Sequence, residues 1–364
     1  MNIIFSNYDS PRNPYYGGGG ASSIHRIALG LVKARNNVTI IAGAFPGSKD
    51  QTIDEVKYKY IGIASLAKLN QLLYLLILPY YVLTSTFDIW VESFIPPFSS
   101  TFVPFWTNKK VVGFAQLLNA KEFSQKYWGV PFHLIEKIAL KKYRHMIVLT
   151  ESLKKVILAN NPNCQVVSLG LGYDKPKNVY PKSHLDKYYL YIGRIDIFQK
   201  GLDLLLASYA ETPASTPRLV IAGGGSKKDL DALASLISSY NLGSRVSCLG
   251  RVSGIKKEKI LSGAIATIIP SRYETFCLSA LESIAHGTRV IVSDVPDLAW
   301  IPSIAKHTFS LANLGELTQL LSTLYKQKSI YINQKSRYSN AISNYEWNKV
   351  VKEYVVYLSG INKS

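Results

Sequence analysis

Cysteine and methionine are scarce in this 364-residue chain, which has three cysteines and two methionines. The cysteines, Cys164, Cys248 and Cys277, are far apart, and none belongs to a CxxC pair. An odd number of dispersed cysteines argues against a disulfide framework and against a structural zinc site. We therefore expect a protein of a reducing compartment, the cytoplasm.

Long apolar runs are also missing. The most apolar stretch, Leu72–Leu83, contains Pro79 and is shorter than the roughly 20 residues that a membrane-spanning helix needs. The opening MNIIFSNYDS has no basic segment ahead of an apolar core, as a secretory signal would have. We expect neither secretion nor a membrane span, and leave open a peripheral location on the inner face of the plasma membrane.

Acidic residues are fewer than basic ones. The chain has 42 Lys and Arg against 24 Asp and Glu, a formal net charge of +18, shared equally between residues 1–175 and the remainder at +9 each. This charge suits any polyanion, and an ordinary solvated surface with a basic bias is the alternative. Zinc-finger spacing, a ribonucleoprotein aromatic motif and an Arg-rich arm are all absent, so we expect no nucleic-acid partner.

Apolar runs rich in β-branched residues alternate with segments of helical periodicity. The runs are NIIFS, NVTIIAG, DIWVES, KVVGFA, HMIVLT and QVVSLG, then YYLYIG, RLVIAG, RVSCLG, AIATIIP and RVIVSD. Predicted helices are at residues 21–35, 131–143, 202–209, 227–240, 256–262 and 278–286. Such alternation is typical of α/β folds with parallel sheets covered by helices on both faces. The length fits two such sheets.

The segment GYDKPKNVYPKSHLDK has prolines and charges but no periodicity, which marks a linker. We predict a first Rossmann-like domain at 1–172 that binds the acceptor, a linker at 173–187, and a second Rossmann-like domain at 188–345 that binds the donor. A C-terminal helix within 346–364 could pack back on the first domain. Ligands bind at the carboxyl ends of parallel strands, so we expect the ligand in a cleft between the domains.

Two acids bracket the stretch ETFCLSALE. Glu274 is predicted in the loop after a strand, and Glu282 at the edge of the apolar face of the next helix, where burial is costly without hydrogen-bond donors. The backbone amides at the predicted helix N-terminus could bind an anion. They belong to Phe276, Cys277 and Leu278. The alternative is an ordinary helix with an acid near its N-terminus and a solvated Glu282.

Two cations follow another predicted strand. Arg194 and Lys200 belong to YIGRIDIFQKGLDLLL, at the end of that strand and just ahead of the next helix. They could hold a diphosphate, Arg as a planar fork and Lys as a point charge, although ordinary surface cations would also fit.

Four consecutive glycines in YYGGGGASSIHRIALGL separate the first strand from the first helix. They permit close backbone approach to a ligand, with a flexible loop as the alternative. The run is not GxGxxG and has no Walker lysine.

Together these motifs resemble those of the retaining glycosyltransferases of family 4, which have the GT-B architecture of two facing Rossmann-like domains. The resemblance covers nearly the whole chain: the glycine-rich loop, GR…KGxDxL, IAGGG, LGRV and the E-x7-E box. It implies a hexosyltransferase that uses a nucleotide-diphosphate sugar, most often UDP-linked. The implied acceptor is a saccharide or lipid-linked saccharide in polysaccharide biosynthesis.

The resemblance also implies roles for single residues. Arg194 and Lys200 would bind the donor diphosphate and stabilise the departing nucleotide, Glu274 would contact the transferred sugar, and Glu282 would accept from the ribose hydroxyls. Further donor contacts are implied for Gly18, Gly19, Gly20, Arg251, Val252, Thr275, Phe276, Cys277 and Leu278.

The chain departs from the family pattern at three positions. Members often have Gly at the places of Thr275 and Cys277, and many have a histidine near the sugar where this chain has Gln116. The identity of the sugar therefore stays open. Front-face attack is the mechanism that the family implies, and double displacement through a carboxylate remains the alternative.

A cofactor is not expected beyond the nucleotide-sugar donor. The triplet Asp229–Asp231 resembles a DxD metal motif but lies in a predicted surface helix, so we expect no metal. A nucleotide-sugar epimerase of the same architecture and a non-catalytic nucleotide-sugar-binding protein are alternative functions.

Two segments of the first domain, LLYLLILPYYVL and IEKIALKKYRH, combine apolar and basic residues. They suit peripheral contact with an anionic membrane. A buried helix followed by a solvated one is the alternative.

Overall fold

The computed structural model describes residues 1–13, 19–66, 69–95, 100–116, 118, 132–178, 188–327 and 334–363. The chain divides into two compact units. The N-terminal unit comprises Met1–Gly172 together with Trp347–Ser364, and the C-terminal unit is Tyr173–Glu346. Residues 179–187 of the predicted linker lie outside the described residues.

The N-terminal unit is built on an eight-stranded sheet. Its strands are β1 (Asn2–Ser6), β2 (Asn37–Gly43), β3 (Gln51–Ile53), β4 (Val56–Ile61), β5 (Ile89–Phe94), β6 (Lys110–Ala115), β7 (His145–Val148) and β8 (Gln165–Ser168). Its described helices, numbered along the chain, are α1 (Gly19–Lys33), α2 (Asn70–Thr84), α3 (Phe132–Leu140), α4 (Glu151–Asn160) and α11 (Trp347–Lys363). The strand order is β3-β4-β2-β1-β5-β6-β7-β8, and only β3 is antiparallel to its neighbour.

Helices cover both faces of this sheet. On one face α2, α3 and α4 share a buried cluster with strand residues such as Val111 and Ala115 of β6. Side chains alternate along a strand, so Phe114 lies on the opposite face, where its ring is 6.1 Å from that of Tyr354 in α11. Helix α1 packs against α11 on that face.

The C-terminal unit has a six-stranded sheet in which every pair is parallel. Its strands are β9 (Tyr188–Ile192), β10 (Arg218–Ala222), β11 (Val246–Gly250), β12 (Ala266–Ile269), β13 (Arg289–Ser293) and β14 (Lys306–Phe309). Its described helices are α5 (Leu202–Ala210), α6 (Lys227–Ser239), α7 (Gly254–Gly263), α8 (Leu278–Ala285), α9 (Leu314–Thr323) and α10 (Lys335–Ala341).

The strand order of the C-terminal unit is β11-β10-β9-β12-β13-β14, the doubly wound Rossmann order. The order reverses between β9 and β12, and in the N-terminal unit it reverses between β1 and β5. Open parallel sheets bind ligands beside the carboxyl ends of strands at this reversal. The predicted α/β class with two mostly parallel sheets is confirmed.

Three strands were not predicted. The hairpin of β3 and β4 contains the polar alternation VKYKYI, and β14 is the short, polar KHTF. Helix α8 begins at Leu278, the first residue of the predicted range 278–286. Cys277, directly before it, has a left-handed backbone with φ of 63°, which a right-handed helix cannot include.

Candidate active site

The carboxyl ends of β9 and β12 bring a lysine and a glutamate together. Lys200 follows β9, and its Nζ donates to Oε1 of Glu274, which follows β12, at 2.8 Å. Ser271 Oγ donates to the same oxygen at 2.7 Å. The side chains of Lys200 and Glu274 are only 18% and 4% exposed. The sequence predicted both residues for this edge of the sheet, and the structure adds their direct pairing.

The loops that carry this pair are packed against each other. Gly201 has a left-handed backbone with φ of +63°, and a Cβ there would lie 1.9 Å from the carbonyl oxygen of Pro270. The amide of Arg272 donates to the carbonyl of Gln199 at 3.0 Å. The Arg272 guanidinium also forms a bidentate bond to Asp203, at 2.8 and 2.7 Å. These contacts fix the position of Lys200 relative to Glu274.

Arg194 lies at the start of the same loop. Its Nη1 is 3.0 Å from Oδ2 of Asp196, and its Nη2 donates to Oε1 of Gln199. The side chain is nevertheless 58% exposed. Arg194 is therefore oriented by its own loop and accessible to an anionic ligand.

The second carboxylate of the E-x7-E box also has a lysine partner. Lys257 of α7 donates to Oε1 of Glu282 in α8 at 2.6 Å, and both side chains are 32% exposed. Lys257 thus supplies the hydrogen-bond donor that a carboxylate at the edge of an apolar face requires. No sequence signal had indicated Lys257, because its contact depends on how α7 packs against α8 and not on spacing along the chain.

An aromatic stack holds the loop between the two acids. The ring of buried Phe276 is parallel to that of Trp300 at a centroid distance of 4.5 Å, and Tyr345 meets both rings edge-on. Trp300 Nε1 donates to the Phe276 carbonyl at 3.0 Å. In a trans peptide the next N–H points opposite to the carbonyl, so the amide of Cys277 is directed away from Trp300. No sequence signal had indicated Trp300 or Tyr345.

Known glycosyltransferases resemble this chain in sequence and in fold. Residues 173–308 match the family model of glycosyl transferases group 1. An uncharacterized glycosyltransferase of Methanocaldococcus jannaschii is 29% identical over 197 residues, which are 53% of this chain and 49% of that protein. The chain thus spans about half the length of this curated relative.

Solved structures align along the whole chain. Sucrose-phosphate synthase from Thermosynechococcus elongatus has a TM-score of 0.78 at 18% identity, covering 100% of both chains. Anabaena HepE in complex with UDP and glucose has a TM-score of 0.75 at 14% identity, covering 99% of this chain and 100% of that one. This chain has the GT-B fold of glycosyltransferases. Its assignment to family 4 stays a prediction.

Within this GT-B fold, the glycine-rich end of β10 supports the loop after β9. A Cβ at Gly223 would lie 1.8 Å from the carbonyl oxygen of Gly193, and one at Gly224 would lie 2.5 Å from Nε of Arg251. The exposed Arg251 therefore lies over the IAGGG segment. Val252 packs with the buried cluster that contains Leu190. Its side chain has a core role, so a donor contact there would come from its backbone.

In the N-terminal unit, Gln116 at the end of β6 lies beside the glycine-rich segment. A Cβ at Gly20 would be 2.8 Å from Oε1 of Gln116. Gly19 begins α1, and Gly18 lies outside the described residues. Asp9, just after β1, was missed by the sequence analysis. Burial raises the pKa of the Asp9 carboxyl to about 7, so this group exchanges a proton near neutral pH.

The acidic triplet Asp229–Asp231 lies on α6, as predicted. Asp231 Oδ2 pairs with Nζ of Lys227 at 2.7 Å, and Asp229 accepts from the hydroxyl of Ser226 at the helix N-terminus. Both acids thus have helix-stabilising partners. Among the residues that the structure describes, no group of three or more His, Cys, Asp or Glu side chains could hold a metal ion.

Cys277, one of the two positions where the resemblance leads us to expect glycine, has a left-handed φ of 63°, which glycine adopts readily. Thr275, the other departure, is half-buried. Burial raises the pKa of the Cys277 thiol to about 12, so the thiol stays protonated and is a poor nucleophile.

We expect different changes in stability from two substitutions of Cys277. Cys277→Gly should relieve up to about 1 kcal/mol of left-handed strain and roughly offset the loss of the small buried side chain. Cys277→Val places a β-branched residue at positive φ and should destabilise by about 1 to 3 kcal/mol. Melting curves of both variants and the parent test this. Equal melting temperatures for Val and Gly would contradict the left-handed conformation.

Proposed function

We propose that the protein is a retaining glycosyltransferase that moves a hexose from a nucleotide-diphosphate sugar to a saccharide or lipid-linked saccharide acceptor in glycan biosynthesis. The observation that carries the proposal is the convergence of Arg194, Lys200 and Glu274 at the carboxyl ends of β9 and β12. These residues lie within the segment that matches glycosyl transferases group 1. The complex of HepE with UDP and glucose favours a UDP-linked donor.

The proposed chemistry follows from the charges of this group. Breaking the bond between sugar and diphosphate gives the sugar oxocarbenium character and adds negative charge to the diphosphate. Cations that are already in place stabilise this transition state more than the ground state. Arg194 offers an accessible planar fork, and Lys200 has three N–H donors, of which one is directed to Glu274.

Glu274 has a different role in this scheme. Its Oε1 accepts from Lys200 and Ser271, which fixes the orientation of the carboxylate. We propose that Oε2 accepts from a hydroxyl of the transferred sugar. In a front-face reaction the leaving phosphate oxygen would then take the proton from the acceptor hydroxyl as that hydroxyl bonds to the anomeric carbon, and the carboxylate would serve to position the sugar.

The backbone between the two acids completes the donor site. The carbonyl of Phe276 is held by Trp300, and the amides of Cys277 and Leu278 start helix α8, where the helix dipole favours an anion. We propose that these amides contact the donor diphosphate. Gly19, Gly20 and Gln116 of the N-terminal unit are the proposed partners of the sugar or acceptor.

Glu282 is the proposed ribose ligand, and Glu282→Ala should weaken UDP binding. Loss of hydrogen bonds to a charged group costs about 1.5 to 3 kcal/mol, roughly tenfold to a hundredfold in Kd. Calorimetric titration with UDP measures this. Glu353→Ala, at an exposed glutamate of α11, is the matched control and should leave Kd unchanged. Unchanged affinity in Glu282→Ala would remove Glu282 from the site.

The proposed function is tested by product formation. The full chain is incubated with several labelled nucleotide sugars and a panel of saccharide and lipid-linked acceptors, and the anomeric configuration of the product is read by NMR. We expect a glycosylated product with retained configuration, and we expect the reaction to persist after chelator treatment. Interconversion of the donor sugar without transfer would favour an epimerase. Donor binding without any reaction would favour a non-catalytic nucleotide-sugar-binding protein. Activity that disappears with chelator and returns with a divalent cation would contradict the metal-free scheme.

A further inference from the structure

Helix α2 is apolar on the side that faces away from the sheet as well as on the side that faces it. Its 15 residues include no charged side chain. The inner side is buried and the outer side is exposed. The inner residues are Asn70, Tyr74, Leu78 and Val82. The outer residues are Leu72 (54% exposed), Leu76 (67%), Tyr80 (63%) and Leu83 (66%). A helix that is apolar all round is usually covered all round.

Two neighbouring elements present exposed apolar side chains as well. The short 3-10 turn Val103–Phe105 and the residue after it expose Phe105 (51%) and Trp106 (44%). Helix α3 exposes Leu134 (49%), Ile135 (41%) and Ile138 (61%). These five residues and the outer residues of α2 are together called the apolar surface.

Contacts made by two lysines join the three elements of the apolar surface. Nζ of Lys109, just after the turn, is 3.5 Å from the carbonyl oxygen of Ser85 at the end of α2. Nζ of Lys142, just after α3, lies 5.3 Å from the ring centroid of Phe105. Their inner sides share one buried cluster, so the three elements lie on the same face of the sheet. The exposed apolar side chains therefore lie on one face of the N-terminal unit, on elements that contact each other, and are not scattered singly.

Cations surround the apolar surface. Lys59 lies over the ring of Tyr81 at 4.5 Å and Lys109 over that of Phe87 at 4.6 Å, in addition to Lys142 over Phe105. Helix α3 and the residues after it also carry Lys137, Lys141 and Arg144. An apolar surface with a cationic rim and with Tyr and Trp at its edge matches a bilayer interface that contains anionic lipid. A second copy of the chain would instead bring two cationic rims together, which is unfavourable.

We propose that the N-terminal unit docks on anionic membranes through the apolar surface. The surface lies in the headgroup region and does not cross the bilayer: among the described helices, none has the length and apolarity for a membrane span. Docking would also bring the enzyme to a lipid-linked acceptor, a consequence that rests on the proposed function. Membrane binding itself requires no activity.

The experiment is vesicle flotation of the full chain with phosphatidylcholine vesicles that contain or lack phosphatidylglycerol. We expect flotation with the anionic vesicles, weaker at high salt because the rim charges are then screened. The variant Leu72→Gln/Leu76→Gln/Leu83→Gln should lower the partition coefficient at least about tenfold. Full burial of a single leucine side chain already changes a partition coefficient by more than about tenfold. Lys137→Gln/Lys141→Gln should reduce the preference for anionic vesicles.

Val356→Gln is the matched control, because Val356 is 71% exposed on α11, on the other face of the sheet. It should float like the parent, and circular dichroism and melting curves should show every variant folded. Three results would overturn the proposal: no flotation at low salt, equal flotation of the leucine variant, or a dimer in light scattering that the leucine variant abolishes. Flotation without any transferase product would overturn the proposed function alone.

Discussion

Replacing Lys200 by Ala should lower turnover about a hundredfold to a thousandfold, the typical effect of removing one preorganised group at the site of charge development. The reason is that the Lys200 ammonium would meet charge that grows as the nucleotide departs. Donor binding should weaken less than turnover falls, because the interaction is stronger in the transition state. Steady-state kinetics at saturating acceptor and calorimetry with the donor measure the two effects.

Lys200→Ala should also destabilise the fold, which has to be separated from the loss of catalysis. Glu274 is 4% exposed, so loss of its cation leaves a buried carboxylate with a large desolvation cost. Breaking such a pair from one side costs about 3 to 5 kcal/mol, and the remaining bond from Ser271 favours the lower end of that range.

Two further variants distinguish the loss of stability from the loss of catalysis. Lys200→Met/Glu274→Gln removes both charges at similar volume, so it should regain most of the stability but not the turnover. Arg194→Ala should lose turnover with little change in melting temperature, since the Arg194 side chain is 58% exposed. A folded Lys200→Ala enzyme with near-normal turnover would leave Lys200 as a structural partner of Glu274 only.

Strands with continuous apolar sequences could be predicted, and strands with polar sequences could not. NIIFS, NVTIIAG and KVVGFA are continuous apolar runs, and their predicted ends coincide with those of β1, β2 and β6. Buried strands of parallel sheets have this pattern because both of their faces are covered. The hairpin of β3 and β4 lies at the edge of the sheet with polar side chains in alternation, so its sequence resembles a loop.

The candidate site could be predicted only in part, for a related reason. The strand-end positions of Arg194, Lys200 and Glu274 follow from the parallel topology, which brings carboxyl ends to one edge of the sheet. The parallel topology does not predict which residues orient the two carboxylates and the loop between them. Lys257 reaches Glu282 through the packing of α7 on α8, and Trp300 reaches Phe276 from a distant segment. Such contacts depend on side-chain packing in three dimensions and have no fixed spacing.

Gly201→Ala should destabilise the fold strongly, because the added methyl group meets a backbone atom at a residue with a left-handed conformation. Gly201 has φ of +63°, and a Cβ there would lie 1.9 Å from the carbonyl oxygen of Pro270. A backbone oxygen cannot rotate away as a side chain can, so β12 and the start of α5 would have to separate. Left-handed strain and overpacking together should cost about 2 to 5 kcal/mol.

Gly250→Ala isolates the contribution of the clash. Gly250 has nearly the same φ, +66°, but no heavy atom lies within 4 Å of its hypothetical Cβ. Gly250→Ala should therefore lower the free energy of unfolding by only about 1 kcal/mol, which is the strain of a left-handed non-glycine residue. Because the loop ending at Gly201 carries Lys200, Gly201→Ala should also reduce turnover wherever the protein still folds. Denaturant unfolding of both variants measures the difference, and equal losses of stability would mean that the loops of Gly201 and Pro270 are not in contact.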